Sequence, residues 1–101
     1  MLIELVVFDR RAIEDVEAAS AWYSEQQQSL VIEFLDSLND TLERVAQYPE
    51  AYVEVDSAIR RAFLKKFPYS IYYTIEGNRI TVLAVLHTRS APETWRQRLE
   101  E

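Results

Sequence analysis

A chain of 101 residues, 49% hydrophobic and 28% charged, holds enough apolar material for one modest core and too little for two ordinary domains, so a single domain over 1–101 is expected. The lack of cysteine excludes disulfides and thiolate chemistry, and a single histidine excludes a His-rich metal site, so no metal and no cofactor is expected. A net charge of −6 argues against a general nucleic-acid binder, but the charge is unevenly spread: residues 1–59 hold 13 acidic and 3 basic side chains, residues 60–101 hold 4 and 8.

The chain opens on "LIELVV" (2–7), a β-rich run that reads as a first strand. The apolar stretch is too short for a signal peptide or a membrane span and is interrupted by Glu4 and Asp9, so a soluble, cytoplasmic protein without membrane contact is expected. Asp9 then stands as a candidate N-cap before a helical pattern, with Ile13, Val16, Ser20 and Tyr23 at three- and four-residue spacing to about Gln27. Ser29 is placed to cap a second helix, whose apolar stripe is Leu30, Phe34, Leu38, Leu42 and Val45, widened by Val31 and Leu35. Its opposite face carries Glu33, Asp36, Asp40 and Glu43, so the short connection predicts an antiparallel helical hairpin with an acidic outer surface.

Tyr48-Pro49 ends the second helix, because the residue before proline is pushed out of helical dihedrals. A loop through "EAYVEVDS" is expected next, then three strands: "IRRAFLKKF" (59–67), "YSIYYTI" (69–75) and "RITVLAVLH" (79–87). Pro68 belongs at the turn between the first two, and "EGN" around Gly77 joins the last two. The expected fold class is α+β, in the order β-α-α-β-β-β with a short C-terminal helix from Pro92. In it the helical hairpin covers one face of a small antiparallel sheet, and the first strand adds to an edge.

The residues that could carry chemistry lie in the basic half. Strict alternation puts Arg61 and Lys65 on one face of their strand and Arg60 and Lys66 on the other, either as charges guarding a sheet edge or as a cationic groove. The same alternation aligns Ile80, Val82, Ala84 and Leu86 against Thr81, Leu83, Val85 and His87. His87 is then a strand-end histidine, either bonded to backbone or available for proton transfer, with Arg89 two residues on as a possible phosphate or carboxylate ligand. Trp95 either packs the tail onto the sheet or faces a partner. One glycine in the whole chain excludes a glycine-rich phosphate loop.

Taken together, "IRRAFLKKFPYSIYYTIEGNRITVLAVLHTRSAPETW" resembles the C-terminal half of the RelE/ParE toxin superfamily, particularly its ParE-like plasmid-stabilisation branch. The shared pieces are an Arg pair before a strand, "FPY" then "IYY", a turn, and an apolar strand ending in His, followed by Arg and Pro-x-x-Trp. The first half is similar as well, with a strand, a helical hairpin and a Pro after the second helix.

That resemblance implies a cytoplasmic toxin of a type II toxin–antitoxin pair, neutralised by a cognate antitoxin laid over the hairpin and sheet. By position Arg61, His87, Arg89 and Trp95 match the superfamily signature, and the target- or partner-binding set it implies is Arg60, Arg61, Lys65, His87, Arg89 and Trp95. ParE-like members are associated with poisoning DNA gyrase without a hydrolytic site. The alternatives are a RelE-like ribosome-dependent mRNA endoribonuclease, using Arg61, His87 and Arg89 on mRNA at the ribosome, or a degenerate non-toxic member. Trp95 stands where RelE-like enzymes commonly have a proton-transferring tyrosine, and Ser90 and Ala91 stand where branch members often have Arg and Asp.

Overall fold

The computed structural model describes residues 2–99; Met1, Glu100 and Glu101, which the single-domain expectation includes, lie outside the described residues. The elements are β1 (Leu5–Phe8), α1 (Arg10–Gln26), α2 (Ser29–Gln47), β2 (Glu54–Asp56), β3 (Ile59–Phe63), β4 (Tyr69–Glu76), β5 (Arg79–His87) and α3 (Pro92–Arg96), then a 3₁₀ turn, Gln97–Leu99. The architecture is α+β, a helical hairpin on a five-stranded mixed sheet of order β1-β5-β4-β3-β2. β1 is an edge strand, parallel to β5, and every other pairing is antiparallel.

Asp9 caps α1 as its side chain suggests, accepting from the Arg11 amide at 2.8 Å. Ser29 does not cap α2: it is the first helical residue, and Gln28 occupies the cap position without a side-chain bond. The hairpin buries Ala12, Ala19 and Tyr23 of α1 with Phe34, Leu38 and Val45 of α2 against Ala62, Ile71, Tyr73, Ile80, Val82 and Val85 of the sheet. Tyr23 sits amid Phe34 (5.4 Å between ring centroids), Phe67 (5.1 Å) and Tyr69 (6.1 Å), and burial raises the hydroxyl pKa values of Tyr23 and Tyr69. The opposite sheet face carries a smaller cluster of Ile59, Tyr72, Leu83 and Ala84, covered by Trp95 of α3.

Three further features depart from the sequence reading. The segment expected as a loop contains β2, joined to β3 by a two-residue turn in which Ser57 (φ 27°) and Ala58 (φ 69°) both have positive φ. β3 stops at Phe63, because Lys66 turns through φ 73° and Leu64 drops back into the helix-side core, so Lys65 and Lys66 leave the sheet. Finally, the register between β4 and β5 slips: Tyr72 is opposite Ala84, but Tyr73 is opposite Val82. The extra residue is a β-bulge at Leu83, and it inverts the side-chain phase beyond it. Val85 therefore joins Ile80 and Val82 under the helices, whereas Leu83, Ala84 and Leu86 lie on the Trp95 side.

Candidate functional site

The bulge leaves two polar groups of β5 without ladder partners, and side chains from distant parts of the chain fill them. The Leu83 carbonyl accepts from Arg98 Nη1 at 2.8 Å, and the Val85 amide donates to Asp15 Oδ2 at 3.0 Å. Arg98 and Asp15 also pair with each other through two bonds of 3.0 and 3.1 Å, with 11% and 13% of their side-chain surfaces exposed. Arg11 Nη2 donates to the Arg98 carbonyl at 2.8 Å while its guanidinium holds the Asp9 carboxylate. The Arg11 hydrogen bonds lower the Asp9 pKa to about 2, against the opposing effect of burial. Asp15 and Arg98 were not among the sequence candidates. The available signal was Asp15 itself, a carboxylate four residues from Ala19 on the buried flank of an amphipathic helix.

The expected site residues do not converge. Arg60 lies on the helix side, where Nη1 donates to the carbonyls of Tyr52 (2.6 Å) and Glu50 (3.2 Å) and so ties down the chain after α2. Beside it the Tyr73 hydroxyl donates to the Pro49 carbonyl at 2.7 Å, and burial pushes its pKa well above the ordinary tyrosine value. Arg61 is on the other face, with its guanidinium 4.7 Å from the centroid of the exposed Phe63 ring. Lys65 stands in the loop after β3, held by a bond from Ser37 Oγ to its carbonyl at 2.6 Å and facing Glu33, Asp36 and Asp40 of α2 across a shallow hollow.

His87 comes out on the helix side, its ring 5.5 Å from that of Tyr69 and its Nδ1 accepting from the Arg89 amide at 3.1 Å. Arg89 is exposed. Trp95 is 5% exposed and stacks on Tyr72, with centroids 5.3 Å apart and planes at 15°, so it serves as the lid of the second core rather than as a surface ring. Arg61 and His87 thus lie on opposite faces of the sheet. Arg61 pairs with Tyr72 and His87 with Tyr69, three residues apart on β4 or about 10 Å along the strand. A phosphate held by one is out of reach of the other.

Among the described residues no cluster of three or more His, Cys, Asp or Glu could hold a metal ion, and no helix is long and apolar enough to cross a membrane. The basic half offers a set of exposed cations, and its β4 and β5 form an aromatic cleft with α1. Trp22, 54% exposed, stands on α1 opposite Tyr69 and His87, with Ala18 and Ala19 forming the cleft wall below it.

This arrangement can be compared with known proteins. The profile of the ParE toxin of type II toxin–antitoxin systems, parDE, matches residues 6–92. The chain belongs to the ParE toxin family. None of the curated proteins matches it. Among solved structures, the chromosomal ParDE toxin–antitoxin system from P. aeruginosa is similar in fold, with a TM-score of 0.73 at 15% identity over 86% of this chain and 96% of that one. Family membership makes the protein a toxin-type component whose partner is an antitoxin.

Proposed function

We propose that this ParE-family protein is a single-domain cytoplasmic toxin that arrests growth by binding DNA gyrase, without hydrolytic chemistry of its own, and that its antitoxin holds it inactive. The observation that carries this reading is the placement of Arg61 and His87 on opposite faces of the sheet. Cleavage of RNA by its own 2′-hydroxyl would need Arg61, Arg89 and His87 around one phosphate; Arg89 stays beside His87, but the bulge at Leu83 leaves Arg61 on the other face of the sheet. The Trp95 position, sealed against Tyr72, supplies no acid or base.

Binding makes different demands, which the half-buried Arg61 and the exposed Lys65 and Arg89 meet without converging. Arg61 beside Phe63 on the open face, Lys65 in the β3–β4 loop and Arg89 after β5 are the residues proposed to contact the target, while Arg60 and Trp95 hold the fold that presents them. Purified protein should inhibit gyrase supercoiling, and the doubly charge-reversed Arg61→Glu, Arg89→Glu variant should lose that inhibition while unfolding at the wild-type temperature. Ribosome-dependent mRNA cleavage abolished by His87→Ala would replace this reading with the nuclease one.

A further inference from the structure

β1 pairs with β5 only as far as Phe8 opposite Val82, and the Asp9 amide closes that ladder on the Val82 carbonyl at 2.9 Å. Beyond it the edge of β5 continues to His87 with no strand beside it among the described residues. Two observations fix how its polar groups point. The Thr88 amide donates to the Pro68 carbonyl at 2.9 Å, which makes the adjacent pair, His87 and Tyr69, one whose amides and carbonyls turn away from each other. The Val85 amide reaches Asp15, also away from β4. The Val85 carbonyl and the His87 amide therefore both look outward, into the cleft lined by Ala18, Ala19, Trp22, Tyr69 and His87.

We propose that this cleft receives an extended segment of the antitoxin as a sixth strand, parallel to β5 and in line with β1; this rests on the toxin–antitoxin reading above and adds the footprint. The direction follows from which groups are already used. A parallel strand places one residue opposite Leu86, its amide on the Val85 carbonyl and its carbonyl on the His87 amide. An antiparallel strand would need both polar groups of Val85 or of His87. The Val85 amide is taken by Asp15, and the His87 carbonyl accepts from the Ser90 amide at 2.9 Å. Only the parallel pattern is satisfied in full.

The same register sets the side chains of the segment. The residues before and after the paired one point to the helix side. The first meets Ala18 and Ala19 and must be small, because α1 stands close there. The second enters the hollow between Trp22, Tyr69 and His87, about 260 Å³ against Pro68 and about 330 Å³ against Val85, and is a large apolar or aromatic anchor. Continuing past His87, the segment comes to Arg89, which makes no ion pair among the described residues, so an acidic residue follows the anchor. Occupancy would then cover Arg89, one of the cations proposed for the target, which couples docking to neutralisation.

The test uses the full chain with the small protein encoded in the adjacent reading frame that rescues growth. Amide hydrogen exchange at His87 should slow at least about tenfold in the complex, while Val85, already bonded to Asp15, changes little. Ala18→Arg, on an exposed helical position, and Trp22→Ala should each weaken binding by about tenfold or more and leave a toxin that its antitoxin no longer restrains. Wild-type affinity of Ala18→Arg together with unchanged exchange at His87 would overturn the footprint while leaving the toxin–antitoxin reading intact. A chain that arrests no growth, or that no adjacent product restrains, would overturn both.

Discussion

Arg98 and Asp15, 83 residues apart in sequence, meet at 3.0 Å and together satisfy the two backbone groups that the β5 bulge leaves open. The pair explains how an irregular strand can sit in the middle of the fold: the bulge carbonyl has a guanidinium, the next free amide has a carboxylate, and each charge neutralises the other. Removing one member strands the other at low exposure. Arg98→Met is expected to cost about 3 kcal/mol, the lower end for breaking a buried pair, read as a fall in the urea midpoint at unchanged slope. An unchanged midpoint would mean that the bulge needs no clip.

The turn between β2 and β3 places Ser57 and Ala58 in the left-handed region without a glycine. Glycine adopts such dihedrals without the Cβ clash, so Ala58→Gly should stabilise the chain by about 1 kcal/mol and raise Tm by about 4–8 °C for a domain of this size. The Ala58 amide bond to Glu54 Oε2, 2.7 Å, survives the change. Calorimetry checks the sign directly.

Trp95 offers a way to separate scaffold from contact surface. Truncating it to Ala opens the second core above Tyr72 and Ile59 and should cost about 3–5 kcal/mol. Trp95→Phe keeps a stacked ring and should retain most of the stability and all of the gyrase inhibition. If Trp95→Phe folded normally and lost inhibition, the indole would be a contact residue after all.

Acid stability should report Asp9. Its carboxyl titrates at about 2 in the folded chain against an ordinary 3.8, so the stabilisation it gives is complete above pH ~4 and is lost as the pH falls from there through about 2. Asp9→Asn removes this contribution, so the variant's stability should change less steeply than the wild type's between pH 4 and 2. Parallel curves for the two proteins would show that Arg11 does not hold Asp9 in solution.

Much of the architecture was legible because the apolar period of α2 is long and unbroken, with Phe34, Leu38 and Val45 all facing the core; on α1 the stripe was only partly right, since Ile13 is 47% exposed and Ala12 and Ala19 are buried instead. What could not be read was wherever one residue changes the count. Nothing in "ITVLAVL" marks Leu83 as the bulged position, since every residue there is apolar or β-branched, so alternation grouped Ala84 with Ile80 and Val82, where the structure has Val85. β2 was hidden because its turn lacks the Asn-Gly or Asp-Gly that usually announces such a hairpin. The site suffered from the same slip. Arg61 and His87 look like partners in a linear motif, and only the register of β3, β4 and β5 shows that a sheet separates them.

The most direct test of the account is a paired assay on one preparation of purified protein: supercoiling by DNA gyrase, and cleavage of mRNA on translating ribosomes. Inhibited supercoiling with intact mRNA, the inhibition being insensitive to His87→Ala, is the expected result. Intact gyrase activity with mRNA cleaved, and cleavage lost in both Arg61→Ala and His87→Ala, would contradict it by showing that two residues on opposite faces of the sheet act on the same phosphate.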